Sequence, residues 1–134
     1  MDLYLLDTDA VIDQLKGFPQ TVQLLQTLHQ SGAELCVCDV TIAEVYAGLH
    51  PQDRPLAEQF VSVCSFLASS PAIARQAGEW RYRYRRQGVS VSLTDALIAA
   101  TAHGHQARLV TGNINHYPMP ELDTVALSRQ RDQR

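Results

Sequence analysis

The chain has 134 residues, is 46% hydrophobic and carries a formal net charge of −3. That length suits one domain around one real core, the hydrophobic share excludes a disordered chain, and the slight acidity excludes a protein that coats nucleic acid in bulk. No apolar run approaches the ~18 residues of a membrane span, and the first dozen residues lack the basic start and apolar core of a signal peptide, so a soluble, cytoplasmic protein is expected.

In chain order, short β-rich runs alternate with helical ones. Leu3 to Leu6 is a continuous apolar run ending in Asp7, as a buried parallel strand would be, and Asp9 to Lys16 then places Val11, Ile12 and Leu15 at helical spacing. Pro19 opens a second helix that stops at Ser31-Gly32, and Leu35 to Cys38 forms the next strand. A helix is expected from Thr41 to the neighbourhood of Gly48. Arg54 to Phe66 has helical spacing, with a short strand at Cys64 to Leu67 as the alternative. Pro71 starts a long helix to Gln87-Gly88, and Thr94 is expected to cap a helix reaching His103. Arg108 to Thr111 and Thr124 to Leu127 are the last strands, the second at an edge. A mostly parallel α/β sheet of four to five strands with helices on both faces follows. One domain is expected over 1–127, with a mobile polar tail over 128–134.

Three cysteines in a chain without a secretory signal argue against a disulfide framework. Cys36 and Cys38, two apart on a strand, share a face and with Cys64 could begin a zinc site; buried free thiols are the ordinary reading.

An acid stands at the edge of an apolar run three times: Asp7, Glu44 and Asp95. Such carboxylates are desolvated on one side and must be capped, hydrogen-bonded or metal-bound. Chemistry in open α/β sheets sits beyond the carboxyl ends of the strands, where Asp7, Glu44 and Asn113 would meet if their strands are neighbours, with Asp95 joining from a helix start. Plainer readings stand beside this. Glu44 follows Thr41 at capping-box spacing, Asp95 suits a positive helix end, Asp7 and Asp9 suit a capping turn, and Thr111 suits a strand end.

The segments LYLLDTDAVID, VTIAEVYAGL, SLTDALIAATA and RLVTGNINHY, in this order and spacing, resemble the motifs of PIN-domain ribonucleases, in particular the VapC-type toxins of bacterial toxin–antitoxin pairs. The resemblance runs from about Asp2 to Leu127. It implies a three-layer PIN-like fold, an RNA substrate, and products with a 5′-phosphate and a 3′-hydroxyl. The family's metal-binding acids fall on Asp7, Glu44 and Asp95. Asn113 and His116 stand where the family often has a further acid, and Asp9 could compensate in part. Such a set would hold Mg²⁺, with Mn²⁺ able to substitute, while Thr8 supports the acids and Thr111 and Asn113 orient the scissile phosphate or an attacking water.

The resemblance also implies a homodimer and a small cognate antitoxin. Phe60-Val61, Phe66-Leu67, Val22, Leu25 and the Trp80 to Tyr84 stretch offer apolar surface for the dimer. The antitoxin's carboxy-terminal segment is expected over Asp9 to Leu28 and Ala43 to Leu49, with a basic side chain in the acidic crevice. Five arginines against one glutamate between Pro71 and Gly88, interleaved with Trp80, Tyr82 and Tyr84, suggest RNA contacts at Arg81, Arg85 and Arg86. The competing reading is an amphipathic helix with its aromatics packed inward. Two other functions remain in view: a PIN-fold interaction module whose site is silenced by Asn113 and His116, and a haloacid-dehalogenase-type phosphatase with Asp7 as nucleophile. The phosphatase lacks its late lysine, since Lys16 is the only lysine in the chain.

Overall fold

The computed structural model describes residues 1–128. The tail expected over 128–134 therefore lies outside the described residues apart from Ser128. Five strands, β1 (Leu3–Leu6), β2 (Glu34–Cys38), β3 (Ser65–Leu67), β4 (Arg108–Thr111) and β5 (Thr124–Ala126), form one sheet in the order β3-β2-β1-β4-β5, and every neighbouring pair is parallel. Six helices connect them: α1 (Thr8–Lys16), α2 (Pro19–Gln30), α3 (Asp39–Gly48), α4 (Arg54–Val63), α5 (Pro71–Arg86) and α6 (Leu93–Gly104).

The period-two alternation of the strands sorts their side chains onto two cores. Leu5, Cys36 and Leu109 face α5 and α6 and pack with Ala77, Trp80, Ile98 and Ala99. Leu6, Val37 and Val110 face the opposite way, onto Val11, Leu25 and Val45 of α1 to α3, with Phe60 and Val61 of α4 at the margin. Both faces are covered, which is why the strands read as unbroken apolar runs.

Two helices begin before their expected starts. Asp39 begins α3, its Oδ1 accepting from the Val40 amide at 2.8 Å, so Thr41 lies inside the helix and donates its hydroxyl to the Leu6 carbonyl at 3.3 Å. Glu44 is thus not the partner of a Thr41 capping box. Ser92, not Thr94, caps α6: its backbone is extended and its Oγ accepts from the Asp95 amide at 3.1 Å. α4 stops at Val63 because Cys64 is extended, and the strand alternative for the residues that follow is the one realised.

The chain leaves β1 for β2 on one side and later returns to β4 on the other, so a crevice opens beyond the carboxyl ends of β1 and β4. Asp7 closes β1 and Thr111 closes β4, and the Asp7 amide donates to the Val110 carbonyl at 2.9 Å across that seam.

Candidate metal centre

Asp7 does two jobs. As the N-cap of α1 it accepts from the Thr8 amide at 2.8 Å, so the capping reading is correct, but it is only 6% exposed and its other oxygen is occupied as well. Oδ2 accepts from the Thr111 hydroxyl and from the Tyr117 hydroxyl, each at 2.8 Å. Three donors replace the water this carboxylate has lost, which makes its burial tolerable.

Tyr117 links the second acid. Its hydroxyl also stands 3.3 Å from Asp95 Oδ1, so one phenol spans the carboxylates of β1 and α6. Asp95 Oδ2 faces His116 Nδ1 at 3.4 Å. Burial holds the Asp95 carboxyl above the ordinary aspartate range; hydrogen bonding from Ser92 opposes the rise, the Asp7 charge adds to it, and His116 again opposes it. Glu44 reaches the same edge from α3, where it accepts from the Thr8 hydroxyl at 2.5 Å, one residue along from Asp7.

The expectation of three acids closing on one point is therefore met only in part. Asp7 and Asp95 share a hydroxyl, whereas Glu44 joins through Thr8, and among the described residues no three acidic, histidine or cysteine side chains form a ready ion-binding group. The same holds for zinc at the cysteines: Cys36 and Cys38 are buried, Cys64 is half-buried, and burial raises all three thiols, Cys36 to about 11 and Cys64 to about 12.

The remaining expected residues gather around Asp7 and Asp9. Thr111 gives its single proton to Asp7 and accepts from the Asn113 amide at 3.0 Å, so it holds the acid in place rather than facing a substrate. Asn113 donates its side-chain NH₂ to Asp9 Oδ2 at 2.8 Å, and the Gly112 amide donates to the same oxygen at 2.9 Å. Through Oδ2, Asp9 thus fastens α1 to the loop after β4. Tyr117 is the site residue that sequence reasoning misses, although it ends the last motif; its aromatic ring reads as core, and only the fold shows where its hydroxyl lies.

On α5 the inward reading of the aromatics prevails. Trp80 and Tyr84 are buried among core side chains, while Tyr82 is exposed beneath the Arg86 guanidinium. Arg81 donates Nε to the Val91 carbonyl at 2.9 Å, and with Arg85 it lines a hollow beside the start of α6.

An oxygen-rich donor set of two adjoining carboxylates, one with its charged form disfavoured, suits a hard divalent cation that would relieve their repulsion. Fold and site together define an α/β domain whose hydrogen-bonded cluster of acids sits at the switch point of a parallel sheet. The chain belongs to the PIN domain family, whose model matches residues 4–122. It is 34% identical over 119 residues to Ribonuclease VapC19 of Mycobacterium tuberculosis (strain CDC 1551 / Oshkosh), covering 88% of this chain and 95% of that one. In fold it is similar to DNA-bound VapBC from Salmonella typhimurium, with a TM-score of 0.81, 25% identity, and coverage of 94% of this chain and 98% of that one. VapBC2 from Rickettsia felis bound to a promoter DNA fragment matches with a TM-score of 0.84 and 23% identity, covering 94% of this chain and 99% of that one.

Proposed function

We propose that this PIN domain is a divalent-metal-dependent endoribonuclease, the toxin of a toxin–antitoxin pair acting in the cytoplasm, with Mg²⁺ as cofactor and Mn²⁺ able to substitute. The observation that carries this is the Asp7–Tyr117–Asp95 constellation at the carboxyl edge of the sheet, in a chain with a ribonuclease relative of nearly equal length. Asp7 and Asp95, with Glu44 from α3, are the residues that would hold the cation. Bound there, it supplies a lowered pKa for an attacking water and neutralises charge on the phosphodiester. Thr111 and Thr8 hold the acids in register, and the exposed Asn113 and His116 stand at the rim where a phosphate would arrive. Arg81 and Arg85 offer flanking positive charge for RNA, with Arg86 further along the same helix.

The partner proposal is a small antitoxin, supported by the toxin–antitoxin assemblies named among the structural relatives. An open groove between α1 and α4, lined by Leu15, Leu56, Phe60 and Val63, is its docking place. That extends the expected footprint from α1, α2 and α3 to α4. A homodimer is proposed as well, though on a smaller surface than expected: Leu25, Leu67, Trp80 and Tyr84 are core, whereas Phe66 and Tyr82 remain exposed.

The test is cleavage of a mixed-sequence single-stranded RNA by the purified protein with Mn²⁺ and with excess chelator, against Asp95→Asn. Fragments that need Mn²⁺ and vanish in the variant are expected. A well-folded protein that binds RNA without cutting it under any of these conditions would favour the silenced interaction module.

A further inference from the structure

Tyr117 has the ring of a core residue and the hydroxyl of a site residue. The ring packs with Met119, Leu122 and α6 in one hydrophobic cluster, and phenylalanine would fill that place equally well. Only the hydroxyl reaches the acids, at 2.8 Å from Asp7 Oδ2 and 3.3 Å from Asp95 Oδ1. A phenol has one proton, so it cannot satisfy two carboxylate oxygens at once with full strength. The shorter limb favours Asp7, and Asp95 receives the weaker one. A neutral hydroxyl thus sits where two like charges most call for positive charge.

We propose that Tyr117 is a positioning residue for the cation-free protein: its hydroxyl bridges Asp7 and Asp95, and it must release at least one of them when a divalent cation is taken up. This rests on the reading of Asp7 and Asp95 as the metal-holding pair. The bridge keeps the two carboxylates from splaying apart, and it competes with the cation for the oxygens they turn toward each other. Tyr117 therefore lowers metal affinity while steadying the metal-free fold.

Mn²⁺ titration of the full chain at pH 8 separates these effects. Tyr117→Phe should bind Mn²⁺ about tenfold more tightly than the unaltered protein, the loss of a charge-assisted hydrogen bond that the cation no longer has to displace. In chelator the same variant should melt a few degrees lower. Affinity equal to or weaker than that of the unaltered protein would overturn the proposal. Should the variant fold poorly, the unaltered protein gives a second measurement: the Tyr117 hydroxyl proton, followed by NMR in chelator, should shift or disappear at saturating Mg²⁺, and its persistence unchanged would equally overturn the proposal. Asp95→Asn separates the two levels of inference. If it bound Mn²⁺ as well as the unaltered protein, the metal reading itself would fail, whatever Tyr117→Phe did.

Discussion

Asp7 and Asp95 are both acids at the mouth of core elements, but they differ in how they meet their burial. Asp7 accepts three hydrogen bonds and Asp95 few, with burial pushing its carboxyl upward. Like-charge repulsion alone suggests that Asp7→Asn would leave the metal-free fold unharmed or steadier. The geometry points the other way, since both oxygens of Asp7 accept hydrogen bonds and the NH₂ of an asparagine would face a donor whichever way the amide turned, so a loss of about 1–3 kcal/mol is expected in chelator denaturation. Asp95→Asn is the variant that should be neutral or stabilising there. The pH dependence follows from the same rise. Because the folded Asp95 holds its proton more tightly than the unfolded residue, its stabilising contribution is full below the ordinary aspartate value and is lost as pH climbs through the raised one. Melting profiles in chelator should thus fall more steeply with rising pH for the unaltered protein than for Asp95→Asn; parallel profiles would contradict the assignment.

At the scale of elements, the placement of Asp95 depends on one cap. Ser92 Oγ accepts from the Asp95 amide, fixing the first turn of α6 and with it the direction of the carboxylate. Ser92→Ala is expected to cost about 1 kcal/mol in urea unfolding and to weaken Mn²⁺ binding, whereas Ser92→Asp keeps the cap. Helix α5 supports a complementary contrast. Trp80→Ala should cost about 3–5 kcal/mol, as a void in the core, while Tyr82→Ala on the exposed face should change stability little and RNA affinity instead. Equal stability losses would mean the helix faces are misassigned. These elements were legible in the sequence because apolar runs and helical spacing report burial directly, and both faces of the sheet are covered. Starts were less legible: Thr41 and Thr94 look like caps, but Cys38 and Ser92 lie at the extended-to-helical transition, and of these only Ser92 has a side chain that caps. The site was legible as a set of acids and not as a set of bonds. Tyr117 lies 110 residues from Asp7 and 22 from Asp95, and no local pattern reports a hydroxyl that bridges such distances.

For the whole molecule, the seam between β1 and β4 is what brings distant motifs together, and the open groove between α1 and α4 is where a partner is proposed to dock. A charge placed in that groove by Leu56→Asp should weaken association with the cognate antitoxin at least tenfold while leaving RNA cleavage intact, because Leu56 is exposed and lies outside the cluster of acids. The cluster itself is best tested by diffraction. Crystals of the full chain equilibrated with Mn²⁺ and measured at the manganese absorption edge should show an anomalous peak with oxygen ligands from Asp7 and Asp95 at about 2.0–2.6 Å. Manganese seated elsewhere, with both carboxylates still on the Tyr117 hydroxyl, would contradict the assignment of these acids as the metal-holding pair.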